Sequence, residues 1–164
     1  MGMMDSGAEE PKSKTLRYAV TGVAFAILLA AGLWWFVFRF WGEKRAADRF
    51  LETLASGNTE RAYCLWKLGE ACTNQPAAEI SRSSQSYTYQ DFLEDWGPGG
   101  YYGPVKSYGI ETAQLLSGAS GVIVVIRVSP FPQLPVNGDA EKQRQTKEVR
   151  IWVESNDKSL SFPP

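Results

Sequence analysis

DFLEDWGPGGYYGPVKSYGI, residues 91–110, changes character half-way along. Phe92, Leu93 and Trp96 recur at helical spacing, and Thr88 three residues before Asp91 has the form of a capping box, so the spacing predicts a short helix that Gly97 and Pro98 stop. The glycines at 97, 99, 100 and 103 are expected to supply positive φ values where the chain turns. Beyond Pro104 the sequence becomes strand-like. A phosphate-binding loop would run in the opposite order, strand, glycines, then helix with a lysine at its start. The stretch therefore reads as the joint where helices hand over to a sheet, and it sets an α+β order.

Downstream, VKSYGIETAQLL, GVIVVIRV and TKEVRIWVES are β-rich, and the last alternates Val149, Ile151 and Val153 against Arg150, Trp152 and Glu154. SGASG and ESNDKS are hairpin turn signals, the second leading to a short last run, LSF. About four antiparallel strands follow. The 129–146 connection, opening SPFPQLP, is long and expected to be extended and solvent-facing. Upstream, Ala46, Ala47, Phe50, Leu51 and Leu54 share one helical face, and Gly57 with Asn58 or Thr59 separates that helix from TERAYCLWKL, which is expected to bury Ala62, Leu65 and Trp66. These two form a helical hairpin. A polar stretch, 69–86, reads as a loop containing at most a short helical turn.

Residues 18–38 carry no charge, and the 20 residues from Ala19, AVTGVAFAILLAAGLWWFVF, would span about 30 Å as a helix, the thickness of a bilayer's hydrocarbon core. Tyr18 at one end and Trp34, Trp35, Trp41 and Arg39 at the other suit the two interfaces. A cleavable signal peptide would close on small residues, whereas this run closes on GLWWFVFRFW. The expectation is a flexible tail over 1–17, a single transmembrane helix over 18–41 and an α+β domain over 43–162. Positive residues flank both ends, so their count leaves orientation open. The order of basic tail, span and long domain favours a cytoplasmic N-terminus with the domain exported, periplasmic or extracellular; the alternative is a cytoplasmic domain. The only cysteines, Cys64 and Cys72, are compatible with one disulfide, provided the helix stops between them, because eight helical residues would separate them by about 12 Å. Two unbonded buried thiols are the alternative.

Histidine is absent, which excludes Ser-His-Asp triads, Cys-His dyads and histidine-ligated zinc. Of 18 acidic and 17 basic side chains, 3 and 4 lie in residues 1–41, leaving 15 against 13 in the remainder, a net charge of −2. That is no footprint for nucleic acid.

Helix, helix, short helix and then an antiparallel meander is the order of the cone-shaped α+β fold of the NTF2-like superfamily. FLETLASGNTERAYCLW resembles its helical hairpin, DFLEDWGPGGYYGPVKSYGI its third helix and first strand, and VRIWVESNDKSLSF its closing strands. With a membrane anchor in front, the layout is similar to bacterial envelope proteins of that superfamily, including VirB8-like assembly factors. The chain departs from the pattern in its long proline-rich loop and its lack of histidine. The resemblance implies a curved sheet whose concave face holds a ligand or partner.

The function expected is a membrane-anchored, non-enzymatic envelope module for partner recognition or complex assembly, touching the bilayer through 18–41. Candidate contact residues are Trp96, Tyr101, Tyr102, Phe131, Leu134 and Trp152; no cofactor and no metal is expected. The alternative is a ligand-binding protein or enzyme using the concave pocket, with Asp91, Glu94 or Asp95 as base and Tyr87, Tyr89 or Tyr108 as donor.

Overall fold

The computed structural model describes residues 12–73, 75–83 and 86–164. The chain divides into two compact units, the first ending at Arg39 and the second running from Phe40 to Pro164.

The first unit contains one helix, α1 (Lys12–Phe38), whose 27 residues correspond to about 40 Å. Residues 12–17, expected in the tail, are therefore helical; the rest of that tail, 1–11, lies outside the described residues. Val20, Val23, Phe25, Ile27, Leu28, Leu29, Leu33, Trp34 and Trp35 are all exposed, so α1 is apolar all round rather than along one stripe. Among the described residues no helix is long and apolar enough to cross a membrane.

The second unit is α+β, with a four-stranded antiparallel sheet in the order β1-β2-β3-β4. Its helices are α2 (Trp41–Ala55), α3 (Thr59–Leu68), α4 (Ala77–Ser83), α5 (Tyr89–Trp96) and the short α6 (Ala140–Gln143). The strands are β1 (Ser107–Leu115), β2 (Gly121–Ser129), β3 (Lys147–Glu154) and β4 (Leu160–Ser161). Helix α2 buries Ala46, Ala47, Phe50, Leu51 and Leu54, the face its periodicity marks. Gly57 turns the chain at φ +82°, and the Asn58 side chain caps α3 by accepting from the Arg61 N–H at 3.0 Å. Helix α3 buries Ala62, Tyr63, Cys64 and Trp66, whereas Leu65 is only half-buried. Two faces of α3 are covered because α4 adds a layer, with Ala77 and Ile80 buried, that the polar composition of 69–86 hides.

The helices cover one face of the sheet, α2 lying against β1, β2 and β3 and α3 against β4. Val122, Val124, Ile126 and Val128 of β2, with Val149, Ile151 and Val153 of β3, form the strand side of the core. An aromatic cluster forms the helix side. Phe50, fully buried, meets Trp66 and Trp96 at ring-centroid distances of 5.2 Å each and Phe92 at 6.2 Å. Phe162, after β4, closes on Trp66 at 5.1 Å.

The capping box forms as the sequence predicts: the Thr88 hydroxyl accepts from the Asp91 N–H, and the Asp91 carboxylate accepts from the Thr88 N–H at 2.7 Å. The glycines after α5 need a different explanation from the one expected, because the positive-φ glycines are 57, 69, 118 and 138. A Cβ at Gly97 would run into the Leu93 carbonyl, one at Gly100 into the Asp95 carbonyl at 2.7 Å, and one at Gly103 into the Gly97 carbonyl. Close backbone approach, not handedness, fixes these three, whereas a Cβ at Gly99 would meet nothing within 4 Å.

Register gives the sheet two distinct ends. At the loop end Ser107 pairs with Ser129 and Val128 with Lys147; at the hairpin end Leu115 pairs with Val122 and Gly121 with Glu154. The start of α2 lies at the hairpin end, where buried Glu43 pairs with Lys158 at 3.0 Å and accepts from the Ser155 hydroxyl at 3.2 Å, while the Ser155 N–H donates to Ser120 O. Burial pushes the Glu43 pKa up, but the Lys158 and Ser155 hydrogen bonds, a backbone hydrogen bond and the lysine's charge outweigh it and hold the carboxyl below its usual 4.5. A depressed native pKa contributes stability above the unfolded value that is lost as pH falls through the folded one. Chemical denaturation at several pH values is thus expected to show stability falling below about pH 4.5, and Glu43→Gln is expected to flatten that fall.

Candidate functional site

The loop end carries most of the aromatic residues that sequence reasoning singled out, although not on one surface. Trp96 belongs to the core at 2% exposure, with Phe50 on one side and Tyr102 on the other at 4.9 Å. It offers a partner no surface. Tyr102 is half-buried and stands edge-on to Tyr101 at 4.8 Å. Tyr101 is 65% exposed. Lys147, the first residue of β3, places its ammonium 4.0 Å from the centre of the Tyr101 ring and donates to the Tyr101 carbonyl. Sequence reasoning missed Lys147 because only the pairing of β3 brings it to Tyr101, 46 residues earlier.

The proline-rich connection is attached to this end and is more ordered than an extended path. Phe131 is half-buried, with its N–H donating to the Ser129 hydroxyl at 3.2 Å and Lys142 of α6 at 5.9 Å from its ring. Leu134 lies over Gly109 of β1, so close that a Cβ there would meet its Cδ1 at 3.1 Å. Gln143 returns to the loop by donating to the Val136 carbonyl at 2.9 Å. The path departs from an extended, solvent-facing one for a physical reason: Gly109 leaves a gap on β1 that Leu134 fills, and α6 turns the chain back, while Pro132, Gln133 and Val136 stay exposed. Between loop and helix is a surface hollow of about 320 Å³ bounded by Phe131, Pro132, Gln133, Leu134, Val136, Asp139 and Lys142. Trp152 stands apart. It is half-buried on the sheet face opposite the helices, five residues along β3 from Lys147 and paired with Ile123 and Ser161.

The three acids of α5 have separate fates. Asp91 is occupied by the cap, and the Thr88 backbone and hydroxyl donors hold its pKa below the ordinary carboxylate value. Glu94 is exposed. Asp95 is half-buried and accepts a 2.7 Å hydrogen bond from the Tyr87 phenol. Burial, and then that hydrogen bond and the charges of Asp95 and Asp91, push the Tyr87 pKa far up, so the phenol stays protonated and donates. The buried Trp96 Nε1 makes no hydrogen bond of standard geometry, and its influence on the Tyr87 phenol, toward the phenolate, is the weakest of those acting on it. Around the pair, Trp66 lies 5.8 Å and Phe162 5.8 Å from the Tyr87 ring, and the Tyr63 hydroxyl donates to the Tyr87 carbonyl at 3.1 Å. This arrangement holds Tyr87 in its left-handed conformation, φ +58°, and links α3 to α5. Tyr89 shares a hydrogen bond with Thr59 at 2.9 Å, and Tyr108 donates to Asp48 at 3.0 Å, where burial and the Asp48 hydrogen bond raise its pKa to about 12. All three candidate donors are thus tied to structural partners.

Cys64 and Cys72 form a disulfide with Cα atoms 5.5 Å apart. The helix does stop between them: α3 ends at Leu68, and a single tight turn, Gly69–Ala71, brings Cys72 back. Loss of a bond closing so short a loop is expected to cost about 2.5 kcal/mol in the chain-entropy model. Urea unfolding with and without reductant checks this, and equal midpoints would contradict it. Among the described residues no cluster of carboxylates and cysteines could hold a metal ion.

No protein-family model, curated protein or solved structure matches this chain.

Proposed function

We propose that the chain is a membrane-anchored, non-enzymatic module of the bacterial envelope, NTF2-like in architecture, that recognises a protein partner with the loop end of its sheet. The observation that carries the reading is Tyr101: a large aromatic side chain left exposed, held in place by Lys147 and Tyr102 and adjoining the end of the sheet from which the Phe131–Val136 loop springs. Rigid aromatic groups bordered by cations are the material of binding hot spots. Support for the anchor comes from α1, which is apolar on every side, a composition stable in lipid or within a much larger core. The Cys64–Cys72 bond supports an exported domain, since disulfides persist in oxidising compartments. A sheet with helices on one face and a β-bulge between Ile110 and Thr112 suits the curved sheet of the NTF2-like fold.

The enzymatic alternative draws less support, because Tyr87 and Asp95 satisfy each other within the aromatic cluster. A photo-crosslinking residue at position 101, in cells making the whole chain, tests partner recognition. The expected result is a discrete protein adduct that disappears when residues 131–136 are deleted. Adducts from position 152 but none from 101 would contradict it. A reporter fused after Pro164 tests export; activity confined to the cytoplasm would contradict that part.

A further inference from the structure

The hairpin end carries a second surface that the partner-recognition reading does not use. Trp41, the first residue of α2, is 55% exposed, and at the β1–β2 tip Leu115 and Leu116 are 50% and 46% exposed. The start of α2 and the β1–β2 tip lie at the same end of the sheet. Glu43 of α2 is bonded to Ser155 and Lys158 of the β3–β4 turn, and Ser155 is bonded to Ser120 of the β1–β2 turn. Exposed Lys44 and Arg45 border a hollow with Trp41, Asp48 and Ile110, and the Arg45 guanidinium lies 4.9 Å over the Trp41 ring. The nearby acids are engaged: Asp48 by Tyr108, Glu43 by Lys158, Glu154 by the Ser120 hydroxyl and Asp157 by the Ser159 N–H. What this end offers outward is indole and leucine beside the exposed Lys44 and Arg45, the chemistry of a phospholipid interface, where aromatic rings sit at headgroup depth and cations meet phosphates.

Covalent reach selects the occupant. Trp41 follows Phe38, the last residue of α1, by three residues, and three peptide units span at most about 11 Å. A membrane held by α1 is therefore within reach of this end of the domain, whereas the loop end lies a nine-residue strand, about 30 Å, further along.

We propose that the hairpin end of the domain docks on the bilayer surface, with Trp41, Leu115 and Leu116 entering the interface and Lys44 and Arg45 meeting headgroup phosphates. The contact orients the sheet so that Tyr101 and the proline loop point away from the lipid. The proposal rests on the reading of α1 as an anchor.

The test uses the whole chain reconstituted in vesicles of mixed zwitterionic and anionic phospholipids, with a nitroxide attached at Ser117→Cys or, separately, at Asn137→Cys. The native cysteines are bonded and do not react. The expected result is that the label at 117 collides preferentially with oxygen and is shielded from a water-soluble nickel chelate, while the label at 137 shows the reverse. Adding L115D and L116D is expected to abolish the shielding at 117 while the chain still floats with the vesicles. Since both leucines are exposed, an unchanged circular-dichroism spectrum is expected to confirm folding. A chain that does not float would overturn the anchor itself. A floating chain whose label at 117 is as open to nickel as the label at 137 would overturn the docking alone. Shielding at 117 that survives L115D/L116D would overturn the role given to the leucines.

Discussion

Trp66→Ala is expected to lower the stability of the α+β unit by about 3–5 kcal/mol, the range for removing a large aromatic side chain from a packed core. Trp66 is 2% exposed and meets rings from three parts of the chain: Phe50 of α2 at 5.2 Å, Phe92 and Trp96 of α5 at 6.1 and 5.7 Å, and Phe162 after β4 at 5.1 Å. Domains of this size are stable by about 5–15 kcal/mol, so the variant should lose about a fifth of that or more. A urea titration followed by circular dichroism measures the change. Trp152→Ala is the comparison, since Trp152 is half-buried on the opposite sheet face and is expected to cost about 1 kcal/mol. Equal losses from the two variants would mean that the core does not centre on the helix-side aromatic cluster.

Gly69→Ala is the second large effect, expected at roughly 2–5 kcal/mol from backbone strain and overpacking together. Gly69 has φ +54° and ψ −122°, a conformation open to glycine alone, and a Cβ there would strike the Asp157 carbonyl and the Lys158–Ser159 peptide of the β3–β4 turn. The Glu70 N–H donates to the same Asp157 carbonyl at 2.8 Å, so the clash would also break the bond that ties the end of α3 to that turn. Gly57→Ala separates the two causes. Gly57 also has positive φ, +82°, but an added Cβ would meet nothing within 4 Å. It is therefore expected to lose only about 1–2 kcal/mol. Equal losses at the two positions would remove crowding from the explanation.

Where the fold was legible in the sequence, the signal was local. The spacing of Phe50, Leu51 and Leu54, the Asn58 and Thr88 caps and the alternation of β3 each depend on residues a few positions apart, and each forms as read. Helix α4 was not legible, because two buried residues, Ala77 and Ile80, in a polar segment give no periodicity until α3 and α5 are in place beside them. The glycines after Trp96 were recognised as a turn but given the wrong cause, since backbone crowding depends on a path that composition does not encode. At the candidate site, Tyr101 was legible as a residue and Lys147 was not. The same holds for Glu43 and Lys158, 115 residues apart, whose pairing exists only once β4 has turned. Trp96 is buried, a place that an indole at a helix end does not by itself disclose, because it reads alike for core and for interface.

Everything proposed about orientation and partners depends on α1 being held in lipid. Alkaline extraction of membranes from cells making the whole chain tests this most directly, because high pH strips peripheral proteins and leaves integral ones. The account predicts that the chain remains entirely in the membrane pellet and that a variant lacking residues 19–38 moves to the supernatant. Recovery of the intact chain in the alkaline supernatant would contradict it.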